Sequence, residues 1–425
     1  MQKLTTQSEW IARAQAVLPA GGFGNFDPGI IIARGEGSRV WDEDGKEYID
    51  YLIGSGPMLL GHGHPEVMDA VLEQLPQGMT FFANNAKGVA LAEAIVEAVP
   101  CCAQVRFVAS GGEADMYAMR LARAYTGRNK ILKFEGGYHG MSAEAQMSLA
   151  PSARVNFPQA VPDSAGIPQS VADQMLIAPF NDLAAVEALV TEHQDIAAII
   201  VEPLQRIIPA APGFLQGLRD LCDKHAVLLI FDEIVTGFRL AYGGAQERYG
   251  VTPDICTLGK IIGGGFPLAA LGASAEIMRH FDKAAVGADH WLMQLGTLSG
   301  NPVAAAAGLK TMEILRREGS YDRLRAIGKR LQDMQSNALD EAGIPYRICG
   351  DETLFDLYFT QTDCRDYRSA AHDDPKHGAI YNATLRENGV FKSPGKMYPS
   401  LAVTEPDLDQ TQQAVAKAVA KLAQA

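Results

Sequence analysis

Lys260 has the chemically most unusual setting in this sequence. It lies in DICTLGKIIGGGFP, residues 254–267, between an apolar run and three consecutive glycines. Lysine is among the residues least often fully buried, and burial lowers the pKa of its amine because the charged form loses its water. A desolvated lysine amine is a nucleophile that forms imines with aldehydes. Lys260 is therefore a candidate for covalent chemistry, with a buried ion pair as the open alternative.

Asp232 is a carboxylate in a similarly apolar part of the sequence. It directly follows the apolar run VLLIF, where a carboxylate is costly to bury unless it meets a cationic partner. An arginine or a loop-capping role would satisfy that need. A protonated heterocyclic nitrogen of a bound cofactor would also satisfy it, and this option gives Asp232 a direct part in chemistry.

Five apolar segments end in residues that could do chemistry or bind an anion. They are VRFVA before Ser110, Gly111, Gly112 and Glu113; KILKF before Tyr138 and His139; IAAIIV before Glu202; VLLIF before Asp232; and ICTLG before Lys260. Ligands of open parallel sheets bind at the carboxyl ends of the strands, so we expect these residues to meet. The glycine turn suits a phosphate, because N–H groups at a helix start attract anions, although a plain helix-opening turn is an alternative.

Together these parts match the requirements of pyridoxal phosphate. Neither G-x-G-x-x-G nor G-x-x-x-x-G-K-[ST] occurs at these positions, which removes the main support for a nicotinamide or P-loop site. Pyridoxal phosphate needs a phosphate cradle, an acid for its ring nitrogen, an aromatic stacking partner and an imine-forming lysine. Asp232 would keep the ring nitrogen protonated, and the amine of Lys260 would move the proton of the substrate Cα.

The elements that would position these residues alternate between strands and helices. Continuously apolar strands separated by helical segments such as FLQGLRDLCDKH indicate an α/β fold with a mostly parallel sheet covered on both faces. We predict a large domain over residues 61–310. The chain ends, residues 1–60 with an Asp-Gly hairpin and residues 311–425 with a long helix interrupted near Gly319, would form a smaller α+β domain.

The composition of the chain bears on its binding partners, its cysteines and its location. The chain has 425 residues, of which 47% are hydrophobic, and a formal net charge of -13, which argues against nucleic acid or an anionic membrane as the main partner. Six scattered cysteines favour free thiols. Neither a signal peptide nor a run of about 18 apolar residues is visible. We predict a cytoplasmic protein.

LIFDEIVTGFR and PDICTLGKIIGGGFP resemble the signature of class III pyridoxal-phosphate aminotransferases, which have the aspartate aminotransferase-like fold, fold type I. LGHGHPEV, RLARAYTGRNKILKFEGGYHG and LGTLSGNPVAAAAG extend the resemblance through most of the chain. They are closest to the glutamate-1-semialdehyde 2,1-aminomutase branch. The histidines of GHGHP match a turn of that family, so no metal site is expected.

The resemblance implies a role for each matching position. Lys260 would be the Schiff-base lysine and Asp232 the partner of the pyridine nitrogen. The other implied cofactor contacts are Tyr138 stacked on the ring, His139 beside it, Ile234 on the opposite face, Ser110, Gly111 and Gly112 at the phosphate, Glu202 near the cofactor or substrate, and Thr297. Thr297 would reach a phosphate in the neighbouring subunit of a homodimer. A core role for His139 and a turn-capping role for Thr297 stay open.

The sequence departs from the aminomutase branch at four places. The phosphate turn lacks the family's threonine, residues 19–33 contain no arginine, Ser55 replaces an aromatic residue, and residues 391–404 contain no carboxylate. We therefore predict an aminotransferase that moves an amino group from a primary amine, or a β- or ω-amino acid, to a keto acid. Ser55, Arg206 and Lys396 are candidate substrate contacts, although the two cations could be solvated surface charges. The aminomutase or another isomerase or racemase is the first alternative, and a non-catalytic cofactor-binding protein the second.

Overall fold

The computed structural model describes residues 6–424. Its strands are β1 (Ile32–Glu36), β2 (Arg39–Asp42), β3 (Glu47–Asp50), β4 (Gln104–Val108), β5 (Lys130–Phe134), β6 (Met175–Ala178), β7 (Ile196–Val201), β8 (Leu204–Gln205), β9 (Ile208–Pro209), β10 (Leu228–Glu233), β11 (Ile255–Leu258), β12 (Ala269–Ala273), β13 (Arg347–Asp351), β14 (Leu354–Tyr358) and β15 (Val390–Phe391).

The α-helices lie between and after these strands. They are α1 (Gln7–Val17), α2 (Pro65–Gln74), α3 (Ala86–Ala98), α4 (Gly111–Thr126), α5 (Gln169–Ala172), α6 (Leu183–Glu192), α7 (Phe214–His225), α8 (Gly244–Tyr249), α9 (Ala275–Met278), α10 (Lys283–Val286), α11 (Pro302–Leu315), α12 (Ser320–Ala342), α13 (Tyr367–Ala370), α14 (Pro375–Glu387) and α15 (Glu405–Leu422). Within residues 6–424, no helix is both long and apolar enough to cross a lipid bilayer.

Seven strands form the central sheet, in the order β4-β12-β11-β10-β7-β5-β6. The pairs β11–β10, β10–β7, β7–β5 and β5–β6 are parallel, whereas β12 is antiparallel to both of its neighbours. Every residue of β7 and β10 is buried, as expected for strands with helices on both faces. The prediction of an α/β fold with a mostly parallel sheet is confirmed.

Helix α4 shows how the sheet is covered. The spacing of Ala114, Ala118, Leu121, Ala122 and Tyr125 in the sequence predicts one apolar helix face; the first four are buried and Tyr125 is partly buried. This face packs against β12, β11 and β7, because residues three and four apart lie on the same side of a helix. The packing places the first turn of α4 beside the carboxyl ends of the central strands.

The two chain ends meet in a second sheet, ordered β1-β2-β3-β15. The hairpin of β2 and β3 is antiparallel as predicted, and β15 adds to β3 in parallel. One apolar cluster joins Ile49 and Tyr51 to helices α12, α14 and α15. We propose the division into residues 1–60, 61–310 and 311–425 on these contacts. The interruption near Gly319 separates α11 from α12, and Gly319 has a φ of 80°.

Candidate active site

The central strands bring three of the predicted parts together around Ile234. Ile234 follows β10 two residues after Asp232. A Cβ on Gly111 would approach Ile234 Cγ2 to 2.9 Å, and a Cβ on Gly259 would approach its Cδ1 to 3.0 Å. Glycine at both positions therefore lets the turn before α4 and the segment leading to Lys260 pack closely against Ile234.

Lys260 directly follows the Gly259 that ends this segment, and its backbone is strained. Its φ is 49°, in the left-handed region that non-glycine residues rarely occupy and that costs about 1–3 kcal/mol at functional sites. Burial lowers the pKa of its amine, and the nearby Tyr398 partly opposes that shift. A Cβ on Gly56 would lie 3.5 Å from Lys260 Cδ and 3.2 Å from Tyr398 Cε1. The lysine is thus held beside an aromatic ring with its amine biased towards the neutral, nucleophilic form.

Asp232 is buried and accepts hydrogen bonds through both carboxylate oxygens. Its Oδ1 accepts the N–H of Ile234 at 3.0 Å, and His139 Nδ1 lies 2.7 Å from its Oδ2. The other ring nitrogen of His139, Nε2, is buried without a partner among the described residues. The predicted neighbours Asp232 and His139 are therefore in direct contact, and His139 fixes the orientation of the carboxylate.

Asp115 is a buried residue of this site that the sequence analysis missed. Its Oδ1 accepts the hydroxyl of Thr257 at 2.6 Å, and the same hydroxyl lies 3.5 Å from Asp232 Oδ1. Burial, and then the charge of Asp232, raises the pKa of Asp115 well above its usual range. The neutral form of Asp115 is therefore favoured, since two adjacent buried carboxyls do not readily both ionise. The available signal was a single aspartate within the apolar face of α4.

The turn before α4 has the form expected of an anion cradle. Ser110 is the N-cap, its Oγ accepts the N–H of Glu113 at 3.3 Å, and the Glu113 carboxylate accepts the N–H groups of Ala109 and Ser110. Among residues 6–424, the N–H groups of Gly111 and Gly112 have no hydrogen-bond acceptor. Two free donors at a helix N-terminus can bind a phosphate.

Tyr138, Glu202 and Arg206 form a second side of the site. Glu202 Oε2 accepts the N–H of Tyr138 at 2.8 Å, and the Arg206 guanidinium lies 5.3 Å from the centre of the Tyr138 ring. Arg206 has a φ of 61° and is only partly exposed. Lys396 is also half-buried, and burial followed by the charge of Arg206 lowers its pKa to about 8. Neither cation is a freely solvated surface charge.

Thr297 and Ser55 are not joined to these residues by any hydrogen bond between the described side chains. Thr297 is exposed, and its carbonyl accepts the hydroxyl of Thr80 at 3.2 Å. Ser55 is exposed with a φ of 65°, next to the buried Gly56 that contacts Lys260. Their predicted roles therefore stay predictions.

Lys133 positions the segment that carries Tyr138 and His139. It is fully buried, and its Nζ donates to the carbonyl oxygens of Gly137, Ala145 and Met147 at 3.1, 2.9 and 2.7 Å. One side chain thus ties both ends of the loop after β5 to the strand. Burial lowers the pKa of Lys133 to about 7.

We expect the free energy of unfolding of the wild type, relative to Lys133→Met, to rise between pH 7 and about 10.5. In this window the unfolded lysine keeps a proton that the folded lysine has lost, so stability increases by up to about 1.4 kcal/mol per pH unit. Denaturant titrations without cofactor at pH 7 and 9 measure the difference. If Lys133→Met does not refold, Lys133→Gln serves for the same comparison. A pH-independent difference would contradict the assignment.

Comparison with known proteins agrees with this geometry. The family described as aminotransferase class-III matches residues 24–419. The chain is 43% identical to a glutamate-1-semialdehyde 2,1-aminomutase of Desulforamulus reducens, over 96% of this chain and 95% of that protein. An omega-transaminase from Sphaerobacter thermophilus superposes with a TM-score of 0.93 at 35% identity, covering 100% of this chain and 99% of that chain. A transaminase with PLP bound superposes with a TM-score of 0.89 at 28% identity, with the same coverage. The chain therefore belongs to the class III aminotransferase family.

Proposed function

We propose that this protein is a pyridoxal-phosphate-dependent aminotransferase that moves an amino group from a primary amine, or a β- or ω-amino acid, to a keto acid. The observation that carries the proposal is the placement of Asp232 close enough to the Lys260 amine for its charge to act on that amine. The amine is biased towards its neutral form, and the buried carboxylate is oriented by His139. A structural neighbour of this chain is a transaminase with PLP bound.

The residues present fit this cofactor. The free N–H groups of Gly111 and Gly112, with the hydroxyl of Ser110, would bind the phosphate. Asp232 would bind the ring nitrogen, and Tyr138 and Ile234 would hold the two faces of the ring. The unpartnered Nε2 of His139 is a further polar atom available to a ligand. When bound, pyridoxal phosphate supplies an electron sink for the substrate bonds that break.

The protein's own residues would do the acid–base work around that group. Lys260 would hold the cofactor covalently through its amine and, when that amine is free, would take the proton from the substrate Cα. Asp232 would keep the ring nitrogen protonated, because its carboxylate stabilises a positive charge there. Glu202 would hold the Tyr138 backbone in place through its 2.8 Å hydrogen bond.

Arg206 and Lys396 would bind the carboxylate of the amino acid or keto acid. Both are half-buried, and the charge of Arg206 lowers the pKa of Lys396. Two cations held close together repel each other until an anion arrives, and an anion is then bound by charge-assisted hydrogen bonds.

Arg206→Ala is expected to raise KM for 2-oxoglutarate or pyruvate by about 10–100-fold, the loss of one hydrogen bond to a charged group. KM for a donor amine without a carboxylate should change by much less. Steady-state kinetics measure KM for the keto acid and KM for the amine, and Lys396→Ala serves as the parallel variant. An equal change in the two KM values would place Arg206 outside the carboxylate site.

The intramolecular aminomutase is the second candidate, because a 43% identical relative carries that name. The two functions differ in their need for a second substrate. The purified, cofactor-loaded protein is incubated with a panel of amines and amino acids, and with glutamate-1-semialdehyde, each with and without a keto acid. Product formation that requires the keto acid supports the aminotransferase. Turnover of the semialdehyde without any keto acid would favour the aminomutase, and no spectral change with any amine would favour a non-catalytic protein.

A homodimer, with Thr297 reaching the partner's phosphate, forms part of the same proposal. Thr297 lies on an exposed loop with Met293, Leu295 and Leu298, whose side chains are 51%, 65% and 49% exposed. Such apolar exposure is typical of a surface that is covered by another chain. Light scattering of the purified protein tests the dimer. A location in the cytoplasm stays a prediction.

A further inference from the structure

Three cysteine thiols with no role in the proposed reaction lie close together behind the central sheet. Cys101 and Cys102 belong to the loop between α3 and β4, and Cys256 lies on β11. The Sγ atoms of Cys102 and Cys256 are 3.5 Å apart, and those of Cys101 and Cys102 are 3.9 Å apart. All three lie within 4.8 Å of one another. Residues 154 positions apart in the chain thus form one trithiol cluster.

The spacing suits a single atom bound to three sulfurs. Bonds of about 2.3 Å from sulfur to a pyramidal three-coordinate centre place the sulfurs about 3.3–3.8 Å apart. The separations of 3.5 and 3.9 Å lie in or near that range, so binding would require only small side-chain movements.

Gly272 makes the room for the cluster. It is the residue directly opposite Cys256 on the neighbouring strand β12. A Cβ at Gly272 would overlap the Sγ of Cys102. The absence of a side chain at this position lets the thiol of Cys102 reach the strand and approach Cys256.

Cys101 gives the cluster its access to solvent. Cys102 and Cys256 are buried, whereas Cys101 is partly exposed. A ligand arriving from solution would therefore meet the thiol of Cys101 first.

The apolar surroundings of the three thiols favour a bound centre that forms a neutral complex. Cys102 and Cys256 belong to the main apolar core, and the buried carboxyl group of Glu233 is close enough to act electrostatically on Cys102. Three thiolates on a divalent ion would leave a negative complex next to this carboxyl group. Three thiolates on a trivalent centre form a neutral complex, which an apolar interior tolerates much better.

We propose that Cys101, Cys102 and Cys256 form a binding site for a trivalent thiophilic centre of the arsenite type. In the reaction As(OH)₃ + 3 RSH → As(SR)₃ + 3 H₂O, three As–O bonds break and three As–S bonds form. Each thiol proton leaves with one hydroxide as water, and arsenic stays trivalent. Occupation ties the loop before β4 to β11, four residues before Lys260.

The test is titration of the reduced, full-length protein with sodium arsenite. The expected result is a 1:1 complex with three As–S bonds by X-ray absorption, the loss of three reactive thiols, and a raised midpoint of thermal unfolding. Cys101→Ser, which changes the partly exposed thiol and leaves the core intact, should weaken binding by at least about tenfold. Cys256→Ser should do the same if it folds.

Two control variants separate this cluster from the other thiols. Cys222→Ser removes an isolated buried thiol, and Cys364→Ser disrupts the hydrogen-bonded pair with Cys349. Both should bind arsenite as the wild type does. Wild-type affinity in Cys101→Ser, weakened binding in Cys364→Ser, or an arsenic centre with fewer than three sulfurs would overturn the proposal. None of these measurements depends on enzymatic activity, so they stand apart from the proposed function.

Discussion

Lys260→Ala is expected to lower the rate of amino transfer by at least about 10⁴-fold, the scale seen when a covalent nucleophile is removed. Lys260 has two roles in the proposed reaction, since it would bind the cofactor covalently and would move the proton of the substrate. Alanine can do neither. The rate is measured as single-turnover conversion of a donor amine by protein saturated with pyridoxal phosphate, with wild type alongside.

The design of this experiment separates chemistry from folding. Lys283→Ala, at an exposed lysine that begins α10, should leave the rate unchanged. The residues proposed to bind the cofactor's phosphate are Ser110, Gly111 and Gly112. They do not include Lys260, so the variant should still bind pyridoxamine phosphate. A small primary amine added to Lys260→Ala should restore part of the proton transfer. A Lys260→Ala rate within about tenfold of the wild type would refute the proposed mechanism.

Asp232→Asn is expected to lower the rate by about 10²–10³-fold, the scale of losing one preorganised electrostatic partner. The amide keeps the size of the side chain but cannot stabilise a positive charge on the ring nitrogen. Asp115→Asn is the matched control, because it changes a carboxyl group that shares the hydroxyl of Thr257 with Asp232. Because the raised pKa of Asp115 favours its neutral form, the rate of Asp115→Asn should fall by less than about tenfold.

A stability measurement tests the neutrality of Asp115 without the cofactor. The raised pKa of Asp115 means that above about pH 4 the folded protein holds a proton that the unfolded chain has released. The free energy of unfolding of the wild type relative to Asp115→Asn should therefore fall as pH rises from 4 towards 7. A difference that does not change with pH, or a large rate loss in Asp115→Asn, would show that Asp115 is ionised.

Much of the fold could be predicted because its signals are local. The continuously apolar β7 and β10, the apolar face of α4 and the Asp-Gly hairpin each depend on residues that are near one another in the chain. The position of β12 in the sheet was harder to predict, because an antiparallel strand inside a mostly parallel sheet has the same apolar composition as its parallel neighbours. The strand β6 and the helix α2 were not predicted, since their segments of four and ten residues are brief.

The family and the candidate reactive groups were recognisable from the amino-acid sequence alone. Lys260 and Asp232 stand out because each places a charged side chain at the end of an apolar run, and the cost of burying a charge makes such a position informative. The resemblance of the flanking segments then indicated the class III aminotransferases, and the match over residues 24–419 confirmed that family.

Contacts between residues far apart in the chain became visible only in the folded protein. The sequence does not show that Asp115 meets Asp232, that Lys133 ties the loop of Tyr138, that Arg206 lies against Tyr138, or that Cys102 meets Cys256. Burial and electrostatic coupling depend on distances of a few ångströms between residues far apart in the chain. Such distances are set by how strands and helices pack, which no local pattern encodes.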